Sequence, residues 1–199
     1  MASSSRLLLV LTFMFIAFSV SQSDESSEEG DEYVRSACSV TRYQDICIRS
    51  LEAYSNSAKH DSRKWAQAAV TVTLAEAKNM THYLNKLKHK KSIRKKGRRQ
   101  RIDLSECIDC FEETVENVKN SLHELRKLNG KTFDVQMGNV ETWMSSALTY
   151  EDTCIDGFEN RKGKQVKLLR SRIMKLSYIT SNALALVSKL ASAGDEINA

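Results

Sequence analysis

The most regular hydrophobic pattern in the chain lies between Leu104 and Leu125. Leu104, Ile108, Phe111, Val115, Val118, Leu122 and Leu125 are spaced 4, 3, 4, 3, 4 and 3, which places all seven on one side of a bundle helix. A second row, Val166, Leu169, Ile173, Leu176, Thr180, Ala183, Val187 and Leu190, steps 3, 4, 3, 4, 3, 4 and 3. It predicts a long final helix, with Gly194 expected to end it. Between these two, Val140, Trp143, Met144, Ala147, Tyr150, Cys154 and Phe158 share one stripe at about 100° per residue. Val140, Ala147 and Cys154 are seven residues apart, which suits a bundle seam. Glu151 projects close to that stripe, so it sits at the rim, is paired, or marks a bend.

A fourth long helix is predicted from Ser62 to about Lys90, with Ser62 or Asp61 as N-cap. Its apolar side reads as Trp65, Ala69, Val72, Ala75, Tyr83 and Leu87. Turns are expected at Leu128–Phe133, around Asn129-Gly130, and at Arg161–Gly163. Ahead of the long helices, Tyr33 to Ser55 reads as short helices. The fold class that follows is all-α: an antiparallel up-down four-helix bundle carrying an N-terminal helical hairpin. The chain of 199 residues has no proline and only seven glycines, so nothing obliges its long helices to break.

Cysteines sharpen this picture. Cys38 and Cys47 are nine positions apart. One straight helix would separate them by about 13.5 Å along its axis, whereas a disulfide needs Cα atoms within about 7 Å. A bond between them therefore demands a reversal, for which Val40–Gln44 is the place, with Thr41 as a possible cap. On the Leu104 helix, Cys107 projects about 60° from the apolar stripe and Cys110 about 120° from it. Cys107 is the better partner for a buried cross-link, and Cys110 the better candidate for a leftover thiol. Five cysteines in a secreted chain imply two disulfides and one odd thiol. Reach and angle favour Cys38–Cys47 and Cys107–Cys154, while other connectivities stay open on these arguments alone.

Charge is distributed in blocks. The formal net charge is +5. Residues 1–23 read as a signal peptide: Arg6 precedes the apolar run Leu7–Val20, and cleavage is expected after Ser21 or Ser23. That run is shorter than the roughly 20 residues needed to span a bilayer, so no membrane association is expected after cleavage. Residues 24–32 hold six acidic side chains and no basic one, and read as an acidic disordered leader. The opposite block, residues 88–101, is read as an exposed basic loop. It carries Lys88, Lys90, Lys91, Arg94, Lys95, Lys96, Arg98, Arg99 and Arg101 with no acidic residue, and Asp103 is then expected to cap the following helix. Such a loop would bind polyanions in a salt-dependent way. Its competing reading is a solvated loop. A nucleic-acid partner is not expected of a secreted chain.

Enzyme motifs are missing. His60, His82, His89 and His123 are scattered, with no HExxH or Glu-x-x-His pair, which removes the helical zinc site and the di-iron bundle site. There is no glycine-rich phosphate loop and no GxSxG elbow. No catalytic residue, metal or cofactor is expected. Asn79-Met80-Thr81 is the only N-glycosylation sequon, and occupancy would put Asn79 on the solvent side.

Four segments, ACSVTRYQDICIRSL, DLSECIDCFEETVENVKNSL, VETWMSSALTYEDTCIDGF and KLSYITSNALALVSKLA, taken in this order with their cysteine spacing, resemble the plant invertase and pectin methylesterase inhibitors. The resemblance covers nearly the whole chain after the leader. It implies an inhibitor domain over 33–194, made of a helical hairpin (33–58) and a four-helix bundle (62–194), with disulfides joining the first two cysteines and the later two. TWMSSALTYEDTCIDGF and TSNALALV are similar to the pectin methylesterase branch, and the Pro-Lys-Phe motif of invertase inhibitors is absent. The implied role is a secreted apoplastic inhibitor that covers the pectin methylesterase substrate cleft in a 1:1 complex and limits demethylesterification of cell-wall homogalacturonan. The resemblance carries the target interface to Thr153, and more weakly to Asp152; a structural hydroxyl is the rival role for Thr153. Inhibition of cell-wall or vacuolar invertase is the alternative within the family. A non-inhibitory bundle binding wall polyanions through its basic loop is the alternative outside it. Departures from the family pattern fall at Gln44, where proline is common, at Tyr150-Glu151 before the DTC sequence, and in the basic block.

Overall fold

The computed structural model describes residues 29–89 and 98–198. Two short helices, α1 (residues 29–38) and α2 (Gln44–Leu51), form the N-terminal hairpin, and a 3-10 turn (Glu52–Tyr54) leads into one turn of helix, α3 (Ser55–Ala58). Four long helices follow: α4 (Ser62–Lys88), α5 (Arg98–Arg126), α6 (Phe133–Asp156) and α7 (Lys164–Asn198). Each packs on its chain neighbour, and α7 closes the ring against α4, while α2 rests on α4 and α7. The result is a four-helix up-down bundle with a hairpin on one side.

Local chemistry explains the starts and stops. Asp61 caps α4, its Oδ1 accepting from the Lys64 amide at 3.1 Å, so one otherwise orphaned N–H is satisfied. The bend before it places Lys59 at φ 48° and is pinned by Trp65 Nε1 donating to the Lys59 carbonyl at 2.7 Å. Thr41 closes the end of α1 and does not cap α2: its hydroxyl and its amide both donate to the Cys38 carbonyl, at 2.7 and 3.0 Å. Tyr43 is the N-cap of α2, without a side-chain cap bond, and its backbone is held from elsewhere in the chain. Asn182 of α7, 3% exposed, accepts from the Tyr43 amide at 3.1 Å and donates to the Tyr43 carbonyl at 2.9 Å. Tyr43 and Tyr178 stack beside it with ring centroids 4.0 Å apart. The hairpin is thus docked on α7 by a paired amide and an aromatic contact.

The core divides into two apolar clusters. One joins the hairpin to the near half of the bundle, through Val34, Leu51, Val70, Val118, Met144 and Val187 among others. The other fills the far half with Leu84, Leu104, Phe111, Phe158, Ile173 and Leu176. In the gap each long helix contributes one buried polar residue: Thr73, Thr114, Glu151 and Thr180. Thr73 donates to the Ala69 carbonyl and Thr114 to the Cys110 carbonyl, which satisfies their hydroxyls within their own helices.

Several boundaries differ from the sequence-based expectations. Residues 29–32 of the acidic leader are helical, with Asp31 paired to Arg35 at 2.7 Å. Arg98–Arg101 are the first turn of α5, so the basic block is not a loop at that end; its residues 90–97 lie outside the described residues, as do residues 1–28. Asp103 consequently lies inside α5 and does not cap it. Its carboxylate binds Arg161 of the α6–α7 turn, with Nε donating at 2.9 Å, tying two chain-distant segments at one end of the bundle. Gly194 does not end α7, which runs on to Asn198. The Phe133 ring lies against Gly194, and an added Cβ would collide with it. On α4 the expected Trp65, Ala69 and Leu87 are buried, together with Ala66, Ala68, Val70, Thr73, Ala77, Met80 and Leu84, while Val72 and Tyr83 are half-buried and Ala75 is exposed.

Candidate functional site

Thr153 and Asp152, where the resemblance implies the target interface, lie on α6, which packs against α5. Two points fix their antiparallel register. Cys107 and Cys154 form a disulfide with Cα atoms 4.5 Å apart, and Thr114 Oγ1 lies 3.5 Å from the Ala147 carbonyl. The other disulfide joins Cys38 to Cys47, Cα atoms 5.8 Å apart, across the reversal between α1 and α2. Cys110 is a free thiol, half-buried. Burial pushes its pKa up, with Asp109 and then Glu106 adding to the rise, so little of it is thiolate at neutral pH and its reactivity is low.

Thr153 sits next to the cross-linked Cys154 and points to solvent. Its hydroxyl donates to the Thr149 carbonyl at 2.8 Å. The same bond recurs along the outer side of α6: Thr149 to Ser145, Ser146 to Thr142, and Thr142 to Gly138. Thr142, Ser146, Thr149 and Thr153 thus form a row spaced 4, 3 and 4. Because each hydroxyl proton is already bound, the oxygens present acceptors to a partner. Of this row sequence reasoning picked out Thr153, with Asp152 beside it, although the Ser/Thr spacing was a readable signal.

Electrostatics give the surface a sign. α6 carries Asp134, Glu141, Glu151, Asp152 and Asp156 and no lysine or arginine. Alongside it, α5 exposes Glu106, Asp109, Glu112, Glu113 and Glu116. Asp152 is exposed; partial burial and then Asp156 raise its pKa. An acceptor row within a field of carboxylates is suited to a partner rich in positive charge and hydrogen-bond donors.

The remaining candidates fall elsewhere. Asn79 is exposed on α4 while Met80 beside it is buried, and the Thr81 hydroxyl is bound to the Ala77 carbonyl at 3.0 Å. His123 is exposed on α5. Among the described residues no three His, Cys, Asp or Glu side chains are grouped to hold a metal ion, and no helix is long and apolar enough to cross a membrane.

Comparison with known proteins agrees with this architecture. The family model "Plant invertase/pectin methylesterase inhibitor" matches residues 32–186. Pectinesterase inhibitor 6 of Arabidopsis thaliana is 41% identical over 164 residues, covering 81% of this chain and 77% of that protein. Pectinesterase inhibitor 9 of Arabidopsis thaliana is 33% identical over 198 residues, covering 96% of each. The crystal structure of a mutant form of an Arabidopsis pectin methylesterase inhibitor superposes with a TM-score of 0.60 at 18% identity, over 76% of this chain and 92% of that one. At that identity the superposition speaks for the fold.

Proposed function

The chain belongs to the plant invertase/pectin methylesterase inhibitor family, and on that footing we propose that it is a secreted inhibitor of pectin methylesterase, not an enzyme itself. It acts in the apoplast as a 1:1 complex in which the bundle covers the substrate cleft, so that homogalacturonan keeps its methyl esters. Residues 1–23 serve as the export signal, and residues 33–194 form the inhibitor. The observation that carries this reading is the outer side of α6. Thr153 and Asp152 are exposed there, on a helix whose opposite side is locked to α5 through Cys154. A surface held this rigidly loses little side-chain and backbone freedom on association, which favours tight binding by obstruction. Glycosylation at Asn79 is compatible with this mode, because Asn79 lies on α4 and the α5–α6 surface stays clear.

A second contact, to acidic pectin, is assigned to the basic block from Lys88 to Arg101. Its described members, Lys88, Arg98, Arg99 and Arg101, stand where α4 ends and α5 begins.

Titration of the purified protein into parallel pectin methylesterase and invertase assays tests the main reading. Loss of demethylesterification at a near-equal molar ratio, with invertase untouched, supports it. Inhibition of invertase alone assigns the chain to the other branch, and inhibition of neither enzyme refutes the inhibitory role.

A further inference from the structure

A groove of about 740 Å³ runs along the first half of α7, between the α6–α7 turn and Ile46 of α2. Its lining contains six cations, Arg161, Lys162, Lys164, Lys167, Arg170 and Lys175, and no carboxylate. Among the described residues, only Arg161 of these six has an anionic partner, Asp103. Charge of one sign concentrated in a groove raises the local potential well beyond what scattered surface lysines produce. Nothing on the same stretch of helix offsets the field, since residues 164–194 of α7 add Arg172 and Lys189 to the four cations they give the groove and contain no acidic residue. Beside the cations, Gly163 and Ser171, the lining is apolar: Val166, Met174, which is 40% exposed, Ile46, and the Tyr178 ring already stacked on Tyr43.

We infer that this groove is a binding site for a linear carboxylated glycan, a polyuronate. Lys164, Lys167, Arg170 and Lys175 recur every three to five residues, a rise of about 4.5 to 7.5 Å per step. A charged chain laid along α7 therefore meets cations at intervals comparable to its sugar rings. The aromatic and aliphatic lining faces the apolar sides of those rings, while the flexible lysines reach the carboxylates as point charges. A neutral polymer gains nothing from the cations. The site discriminates the ionised polymer from its methyl ester, because esterification removes the charge and leaves the ring. The identity of the polymer rests on the proposed function: de-esterified pectin is what the inhibited enzyme would produce, so the groove would hold the inhibitor where demethylation has already occurred. The groove itself shares no residue with the basic block and none with the α6 surface.

The experiment measures binding of the full chain to polygalacturonate and to highly methyl-esterified pectin at low ionic strength by isothermal titration, alongside inhibition of pectin methylesterase. Wild-type protein is expected to bind the de-esterified polymer, to lose it with added salt, and to leave the esterified polymer unbound. The Lys164→Gln/Lys167→Gln/Arg170→Gln variant should bind at least tenfold more weakly with an unchanged melting temperature and unchanged inhibition. The Arg98→Gln/Arg99→Gln/Arg101→Gln variant, which leaves six of the nine cations of the basic block in place, should lose affinity too, but less than the α7 variant does. Equal binding of the two polymers overturns the assignment. So does an unaltered affinity in the α7 variant, or loss of binding confined to the α5 variant. Should wild-type protein bind polygalacturonate through α7 yet inhibit no esterase, the functional reading fails and the groove assignment stands.

Discussion

Glu151 Oε1 accepts a hydrogen bond from Thr180 Oγ1 at 2.8 Å in the middle of the bundle, in the gap between the two apolar clusters. The second oxygen, Oε2, is buried without a partner. Burial raises the pKa from 4.5 to about 8, against the opposing pull of the Thr180 and Ser177 hydroxyls. The folded protein therefore keeps Glu151 neutral at neutral pH, whereas the unfolded chain releases the proton near 4.5. Between these two values the folded state holds one more proton, so stability falls as pH rises through that window. The slope from this group is at most about 1.4 kcal/mol per pH unit. Melting temperatures followed from weakly acidic to mildly alkaline pH should show the decline in wild-type protein and a flatter profile in Glu151→Gln. Parallel profiles would remove Glu151 from the explanation.

The two disulfides should differ in worth. Cys107–Cys154 closes 47 residues and Cys38–Cys47 only nine, and chain entropy assigns them about 4 and about 2.5 kcal/mol. Chemical denaturation of Cys107→Ala/Cys154→Ala should therefore show the larger loss. Inhibition should fall in that variant as well, because Thr153 is no longer held against α5. A variant that inhibits normally would show that the α5–α6 clamp is dispensable for the target.

Asn182 makes two hydrogen bonds to the backbone of Tyr43. Replacing it with alanine leaves the Tyr43 amide unpaired, while the Tyr43 carbonyl keeps the Ile46 and Cys47 amides, and should cost about 1 to 3 kcal/mol. Hydrogen exchange should show the amides of Tyr43 and the start of α2 opening while the bundle amides stay protected. Asn182→Asp keeps the acceptor and loses the donor, so an intermediate effect is expected.

Thr153 is exposed and its hydroxyl is bonded only within α6. Thr153→Ala should change stability by less than about 0.5 kcal/mol. Thr153→Arg should leave the melting temperature alone and weaken inhibition of pectin methylesterase at least tenfold, by bulk and by repelling a positively charged partner. Retained inhibition in the arginine variant would place the target elsewhere on the bundle.

The rows on α5 and α7 were legible because most of their seam positions are aliphatic or aromatic side chains in unbroken 3-4 spacing, which carries Thr180 and Ala183 along with them. On α4 the row was legible only in part: Trp65, Ala69 and Leu87 are buried, but alanines occupy both faces, so that Ala75 is exposed, and Thr73, a polar residue, holds a core position. Hydropathy cannot separate a buried alanine from an exposed one; packing can. Gly194 looked like a terminator and is instead a place where Phe133 approaches the backbone. Asp103 had the chemistry of a cap, and its true partner, Arg161, is 58 residues away. The basic groove was invisible for a related reason: its cations are interspersed with core residues of α7, and only the helix turn and the hairpin bring them to one wall.

The contrast between α6, with five acids and no base, and residues 164–194 of α7, with six bases and no acid, has a colloidal consequence. A modest net charge conceals adjoining walls of opposite sign, so the repulsion that keeps charged proteins apart is weak here. Once dilution lengthens the Debye screening beyond about 10 Å, the positive wall of one copy will attract the negative wall of the next. Concentrated solutions should turn cloudy on desalting and clear again with added sodium chloride.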